Sequence, residues 1–248
     1  MKTKSTIYRL ILIGAFLVFF ICGKIENIEK FTKSSIMAEF NSIETSESSS
    51  GTVIDIDGNI YHTVTIGNQV WMTENLKTTR YRNGDAIFNV KDSKEWSALA
   101  VGAYCWYNNI SRTYKTDYGA LYNWYVVNDI RNIAPLGWHV PTDTEWNTLA
   151  DFLGGWEEAG CKLKETGTTH WLTPNTGATN STGFTSIPGG LRNFDGTFFD
   201  IGSTGGYWSS TEYSYTYAWS RDMFFDDGRA SGDCNLKVLG FSVRCLRD

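Results

Sequence analysis

Three histidines, five cysteines and 27 acidic side chains are the groups in this 248-residue chain with the most obvious capacity for chemistry. His62, His139 and His170 stand far apart, without the short His/Cys/Asp spacing of a zinc site. There is no Gly-x-Ser-x-Gly elbow and no phosphate loop ending in Lys-Ser or Lys-Thr. The carboxylate pair of a glycoside hydrolase is set by geometry in space, and 27 acids single out no two of them. Asp55, Asp57 and Asn59 alternate as in a calcium loop, but that loop needs Gly at its sixth place and Glu at its twelfth. Gly58 is fourth and Ile66 twelfth, so the segment reads as a turn. No catalytic residue, metal or cofactor is assigned.

Aromatic side chains offer a different chemistry. Ten Trp and thirteen Tyr make the chain rich in flat rings, which can stack on the apolar faces of sugars. Trp71, Trp124, Trp138, Trp146 and Trp208 lie in framework segments and are expected in the core, with indole N–H groups finding acceptors. The candidates for ligand contact are Trp156, Trp171 and the alternating Tyr213, Tyr215 and Tyr217, whose three rings would share one face of a strand.

Several elements would have to position these rings. Apolar residues flank Asp57-Gly58, a favoured hairpin turn, and Gly67-Asn68 separates that strand from Gln69-Val70-Trp71-Met72, giving a β-meander. A first helix is expected over 118–130, with Leu121, Trp124, Tyr125 and Asn128 on one face. A second spans 142–153: Thr142 and Glu145 form a capping box, Trp146, Leu149, Ala150 and Leu153 form the buried stripe, and Gly154-Gly155 stops it. Beyond Gly155 the helical period disappears and glycines punctuate short aromatic pieces, as in loops and small strands. Residues 217–225 and 241–246 read as closing strands, and no regular repeat is found.

Residues 1–23 read as an export signal. Lys2, Lys4 and Arg9 precede an apolar run from Leu10 to Ile21, which as a helix spans ~18 Å, short of a ~30 Å hydrocarbon core. Cys22 stands where a bacterial lipoprotein carries its lipid-modified cysteine, giving a membrane anchor, although Ile21 replaces the usual small residue before it. Cleavage after Gly23 is the alternative. Residues 24–51, polar and rich in Ser and Glu, read as a flexible tether to a domain over 52–248. The formal charge of −5 includes the three cations of the signal, so the mature chain is more acidic still. With no Lys/Arg cluster, nucleic acid is not an expected partner.

Six segments carry a resemblance. They are Asp57-Gly58-Asn59-Ile60-Tyr61, Gln69-Val70-Trp71-Met72-Thr73-Glu74-Asn75-Leu76, Tyr118-Gly119-Ala120-Leu121-Tyr122-Asn123-Trp124, the run from Gly137-Trp138-His139 to Glu145-Trp146, Gly206-Tyr207-Trp208-Ser209-Ser210-Thr211, and the closing Gly240-Phe241-Ser242-Val243-Arg244-Cys245-Leu246. In order and spacing, across 53–248, they resemble the Fibrobacter succinogenes major paralogous domain. The resemblance implies an exported or surface protein. It also implies an α+β, C-type-lectin-like fold with two helices, a small twisted antiparallel sheet and long Gly- and aromatic-rich loops. The formylglycine-generating enzymes are more distantly similar, but the stretch 215–225, corresponding to their copper-binding Cys pair, has no Cys. The lectins' Glu-Pro-Asn and Trp-Asn-Asp calcium motifs are also absent: Thr173-Pro174-Asn175 lacks the acid.

Set against that family, Ala134 occupies a position often held by Cys, whereas Cys161 and Cys234 are additions. The preferred pairing is Cys105–Cys245 with Cys161–Cys234, one of three possible connectivities. Fold and composition together lead to an exported, non-catalytic surface module that binds a glycan or a protein. A carbohydrate-active enzyme and a structural subunit of the envelope or an appendage are the alternatives.

Overall fold

The computed structural model describes residues 51–248. The export signal (1–23), the lipidation site Cys22 and the tether, Gly51 excepted, therefore lie outside the described residues. Strands β1 (Thr52–Ile54), β2 (Ile60–Ile66) and β3 (Gln69–Met72) form the expected meander. Gly58 turns the first hairpin with φ +80° and Gly67 the second with φ +64°, conformations that cost glycine little. Asp55 pins the first turn by accepting the Asp57 and Asn59 N–H groups, both at 2.9 Å, and the Tyr61 hydroxyl at 2.6 Å.

The chain continues through β4 (Phe88–Asn89), α1 (Ser93–Ser97), β5 (Ala103–Cys105), α2 (Ser111–Tyr118), β6 (Leu121–Tyr122), α3 (Trp124–Val127), β7 (Trp138–His139), α4 (Asp143–Phe152) and α5 (Trp156–Leu163). It closes with β8 (Gly189–Arg192), β9 (Phe198–Ile201), β10 (Thr204–Glu212), β11 (Tyr217–Phe224), β12 (Ala230–Leu236) and β13 (Leu246–Arg247). The architecture is α+β. The final strand inserts between β3 and β7, giving the order β1-β2-β3-β13-β7, and β10-β11-β12 form a separate antiparallel sheet. The residues read as a closing strand over 241–246 form β13 only at their end; Phe241 and Ser242 make isolated bridges to Tyr122 and Tyr207.

Helix α4 has the expected capping box, with Thr142 and Glu145 satisfying each other's backbone N–H. Trp146, Leu149 and Ala150 face the core, and Gly154 and Gly155, both at φ +96°, end it. The helix expected over 118–130 is not formed. Gly119, at φ +73°, presses against the backbone of Asn75 and Leu76, where no side chain fits, and this ends α2 at Tyr118. Leu121 and Tyr122 then pair with Cys105 and Tyr104, and Asn123 caps the four-residue α3.

A helix also stands where none was expected, in α5. Gly160 looks like a breaker, yet a Cβ there would overlap the Arg229 carbonyl, so its bare surface lets the helix lie directly on the start of β12. Among the described residues, there are five α-helices rather than two.

Trp71, Trp124, Trp138, Trp146 and Trp208 are all buried, as expected. The Trp124 and Trp208 indoles donate to the Ser209 and Tyr122 carbonyls at 2.9 and 2.7 Å.

The four cysteines of the described residues are free, which corrects both expected disulfides. Cys105 is buried with Trp96, Tyr107 and Leu121, whereas Cys245 lies in a different cluster with Tyr61 and Tyr122. Cys161 donates its N–H to Gly228 just before β12 (2.7 Å), but Cys234 is four residues into that strand from Ala230. Four extended residues rise about 13 Å, beyond the ~7 Å limit on the Cα separation of a disulfide. Buried cations fasten the Gly-rich loops instead. Lys164 Nζ donates to the carbonyls of Thr176, Phe224 and Asp227 at 3.0, 2.8 and 2.6 Å. Arg244 holds the carbonyls of Phe184 and Thr185, and Arg192 holds those of Val90, Lys91 and Gly196.

Candidate functional site

The tyrosines 213, 215 and 217 do not lie on one strand. Tyr213 and Tyr215 belong to the turn joining β10 to β11, and Tyr217 opens β11. The turn closes where the N–H groups of Tyr213 and Ser214 both donate to the Tyr217 carbonyl, at 3.0 and 2.9 Å. Lys237 braces it from below. Its ammonium donates to the Tyr215 carbonyl at 2.9 Å, pairs with Glu212, and stands 4.7 Å from the Trp124 ring centre. The tip is therefore a fixed turn with exposed rings: Tyr215 is 93% and Tyr213 56% accessible.

Alternation along β11 puts Tyr217, Trp219 and Arg221 on one face. The Tyr213 and Trp219 rings meet edge to face, with centroids 5.3 Å apart. The Arg221 guanidinium lies 5.8 Å from the Trp219 ring centre and 4.8 Å from that of Trp156 at the start of α5. The result is a row: Tyr213, Trp219, Arg221, Trp156. Arg221 is buried and held by Asp143 and Asn147 of α4 and by the Ser220 carbonyl. Gly232 lies opposite it in β12, where a Cβ would crowd the guanidinium. Trp156 and Trp219 stay half-buried, with part of each ring open to solvent.

At the Trp156 end the row opens into a hollow of about 340 Å³ lined by Glu157, Phe224, Asp227, Arg229 and Ser231. Arg229 donates to both Asp227 carboxylate oxygens, through Nε at 3.1 and 2.9 Å and Nη2 at 2.7 Å. These bonds hold the Asp227 carboxyl down at about 2. The hollow thus joins an aromatic wall to ionised and hydroxyl groups, the mixture that recognises a polar ligand with apolar faces.

Of the residues expected to contact a ligand, the structure brings Trp156 and Tyr213 into one row and sets Tyr215 and Tyr217 beside it. Trp171 is not a surface residue: it is 1% exposed, donates to the Ser186 carbonyl at 2.9 Å and packs with Trp146 and Phe184. Trp219 and Arg221 were missed. The alternation Tyr217-Ala218-Trp219 could have given Trp219, but Arg221 reads as an ordinary charged residue until the register of β11 is known.

The other titratable groups of the described residues serve the fold. His139 is engaged at both ring nitrogens, by Asp248 at 2.7 Å and Glu145 at 2.9 Å, and ties the chain end to α4. Asp222, on the opposite face of β11, is buried, which pushes its carboxyl up to about 7 against a 3.1 Å hydrogen bond from Ser220. It lines no part of the hollow. Burial likewise pushes the Cys105 thiol up to about 12, so it is inert. Among the described residues, no three His, Cys, Asp or Glu side chains converge as metal ligands.

The model of one protein family, the Fibrobacter succinogenes major domain, matches residues 64–247. No curated protein and no solved structure matches the chain. The matched stretch runs from β2 into β13 and contains the whole aromatic row. On that match, the chain belongs to the Fibrobacter succinogenes major domain family.

Proposed function

We propose that this protein is an exported, surface-tethered, non-catalytic module that binds a glycan along the row Tyr213, Trp219 and Trp156. The observation that carries this reading is the buried Arg221, which stacks against both indoles and is itself fixed by Asp143. Rings held in place before binding lose little freedom on contact, so more of the stacking energy appears as affinity. The exposed tyrosines of the braced turn extend the same surface.

Export is supported by the charged start and short apolar run of residues 1–23, and tethering by Cys22 and the polar stretch that follows. An arrangement of the C-type-lectin type, with the chain end paired inside the main sheet, belongs to the same proposal. The test is a screen of the full-length protein against polysaccharides and surface proteins, with assay for released reducing ends. Glycan binding without release supports the proposal. Release of reducing ends identifies an enzyme, and binding to protein alone moves the function to the second class of partner.

A further inference from the structure

The hollow beside Trp156 makes a finer statement about the ligand, one that rests on the glycan reading above. Its charged groups are Glu157, Asp227 and Arg229. Arg229 is committed to Asp227 through two of its nitrogens, and its Nε is 3.9 Å from Glu157. Two carboxylates therefore share one guanidinium. The residual negative charge falls on Glu157, whose side chain is 80% exposed and directly follows Trp156 in sequence.

An anionic glycan meets no free cation there. Arg229 is matched, and Arg221 and Lys164 are buried behind the wall, with the Arg221 Nη groups and the Lys164 Nζ directed to Asp143, Asn147 and backbone carbonyls. An ammonium group meets a carboxylate and an indole, the pair of groups that favours a cation by charge and by the ring quadrupole. The hydroxyl of Ser231 and the apolar ring of Phe224 complete a site for a pyranose.

We infer that the hollow takes an amine-bearing sugar, such as a glucosamine unit, at one end of a glycan chain lying along the row. A lysine-rich peptide carries the same charge, but it lacks the rigid apolar faces that match the half-open indoles of Trp219 and Trp156.

The test is calorimetric titration of the full-length protein with a glucosamine oligomer, a glucose oligomer of equal length and linkage, a galacturonate oligomer and polylysine. The glucosamine oligomer should bind about fivefold more tightly than the glucose oligomer at low salt. That advantage should shrink with added salt and disappear in Glu157→Gln, whose affinities for the glucosamine and glucose oligomers should converge. Glu157 is exposed, so the variant should melt with the wild type. Equal affinity for the two oligomers, or a preference for galacturonate, would overturn the inference and leave the glycan reading standing. Tighter binding of polylysine than of the glucosamine oligomer would also overturn it, in favour of a peptide. Binding of no oligomer would overturn both the inference and the glycan reading.

Discussion

Arg221 and Trp156 form a stacked pair across an element boundary, the guanidinium from the middle of β11 lying 4.8 Å from the indole centre at the start of α5. The same guanidinium reaches Asp143 at the start of α4. One side chain thus joins the sheet that carries the aromatic row to both neighbouring helices. Replacing it should lower stability. Arg221→Met leaves Asp143 without its ion-pair partner and should cost about 3 kcal/mol in urea denaturation. An unchanged midpoint would show that the pair contributes nothing.

Asp222 gives a pH signature. Burial raises its carboxyl to about 7 in the folded protein, whereas the unfolded chain titrates near the ordinary ~3.9. The native state therefore holds a proton that the unfolded state releases between about pH 4 and pH 7. The contribution of this group to stability is full below that window and is lost as pH rises through it, by on the order of 4 kcal/mol. Asp222→Asn removes the titration, so the variant should be the more stable protein above pH 7. Parallel stability curves for variant and wild type across the window would refute this.

The cysteines should behave as two classes. Cys105 and Cys245 are fully buried, with thiols raised by burial, whereas Cys161 and Cys234 are half-buried. Alkylation of the folded protein should mark Cys161 and Cys234 first, and Cys105 and Cys245 only after unfolding. A disulfide-linked peptide containing any two of these four in non-reducing mapping would contradict the structure.

Helix α4 is where sequence and structure agree most closely, and its contributions can be measured directly. Thr142→Ala removes an N-cap and should cost ~1 kcal/mol. Trp146→Ala empties a fully buried site and should cost ~3–5 kcal/mol. Equal effects of the two substitutions would show that Trp146 is not packed as described.

What was legible in the sequence was local. The Asp57-Gly58 turn, the Thr142–Glu145 box and the framework tryptophans each announce themselves within a few residues. What was not legible depends on distant partners. Gly119 ends α2 because Asn75 and Leu76 press against it, and Gly160 permits α5 because β12 begins beneath it. The β12 sequence Ala-Ser-Gly-Asp-Cys-Asn-Leu has little strand preference of its own and forms by pairing with β11. The site divides in the same way. Trp156 and Tyr213 stood out as aromatics in loop-like segments, but only the register of β11 sets Trp219 and Arg221 between them. Trp171 stood out equally and is core, because it donates to the Ser186 carbonyl and is buried with Trp146 and Phe184.

The central claim is that the row binds a glycan, and Trp219 is the residue on which it turns. Trp219 is half-buried, meets Tyr213 at 5.3 Å and covers one side of Arg221. The decisive measurement is the affinity of Trp219→Ala, beside wild type, for the glycan that binds best in the polysaccharide screen, with melting recorded for both. Loss of a stacking ring at a recognition surface should weaken binding by about tenfold or more. The folded state should persist, since the half-buried ring lies outside the hydrophobic core. Wild-type affinity in a folded Trp219→Ala protein would contradict the account.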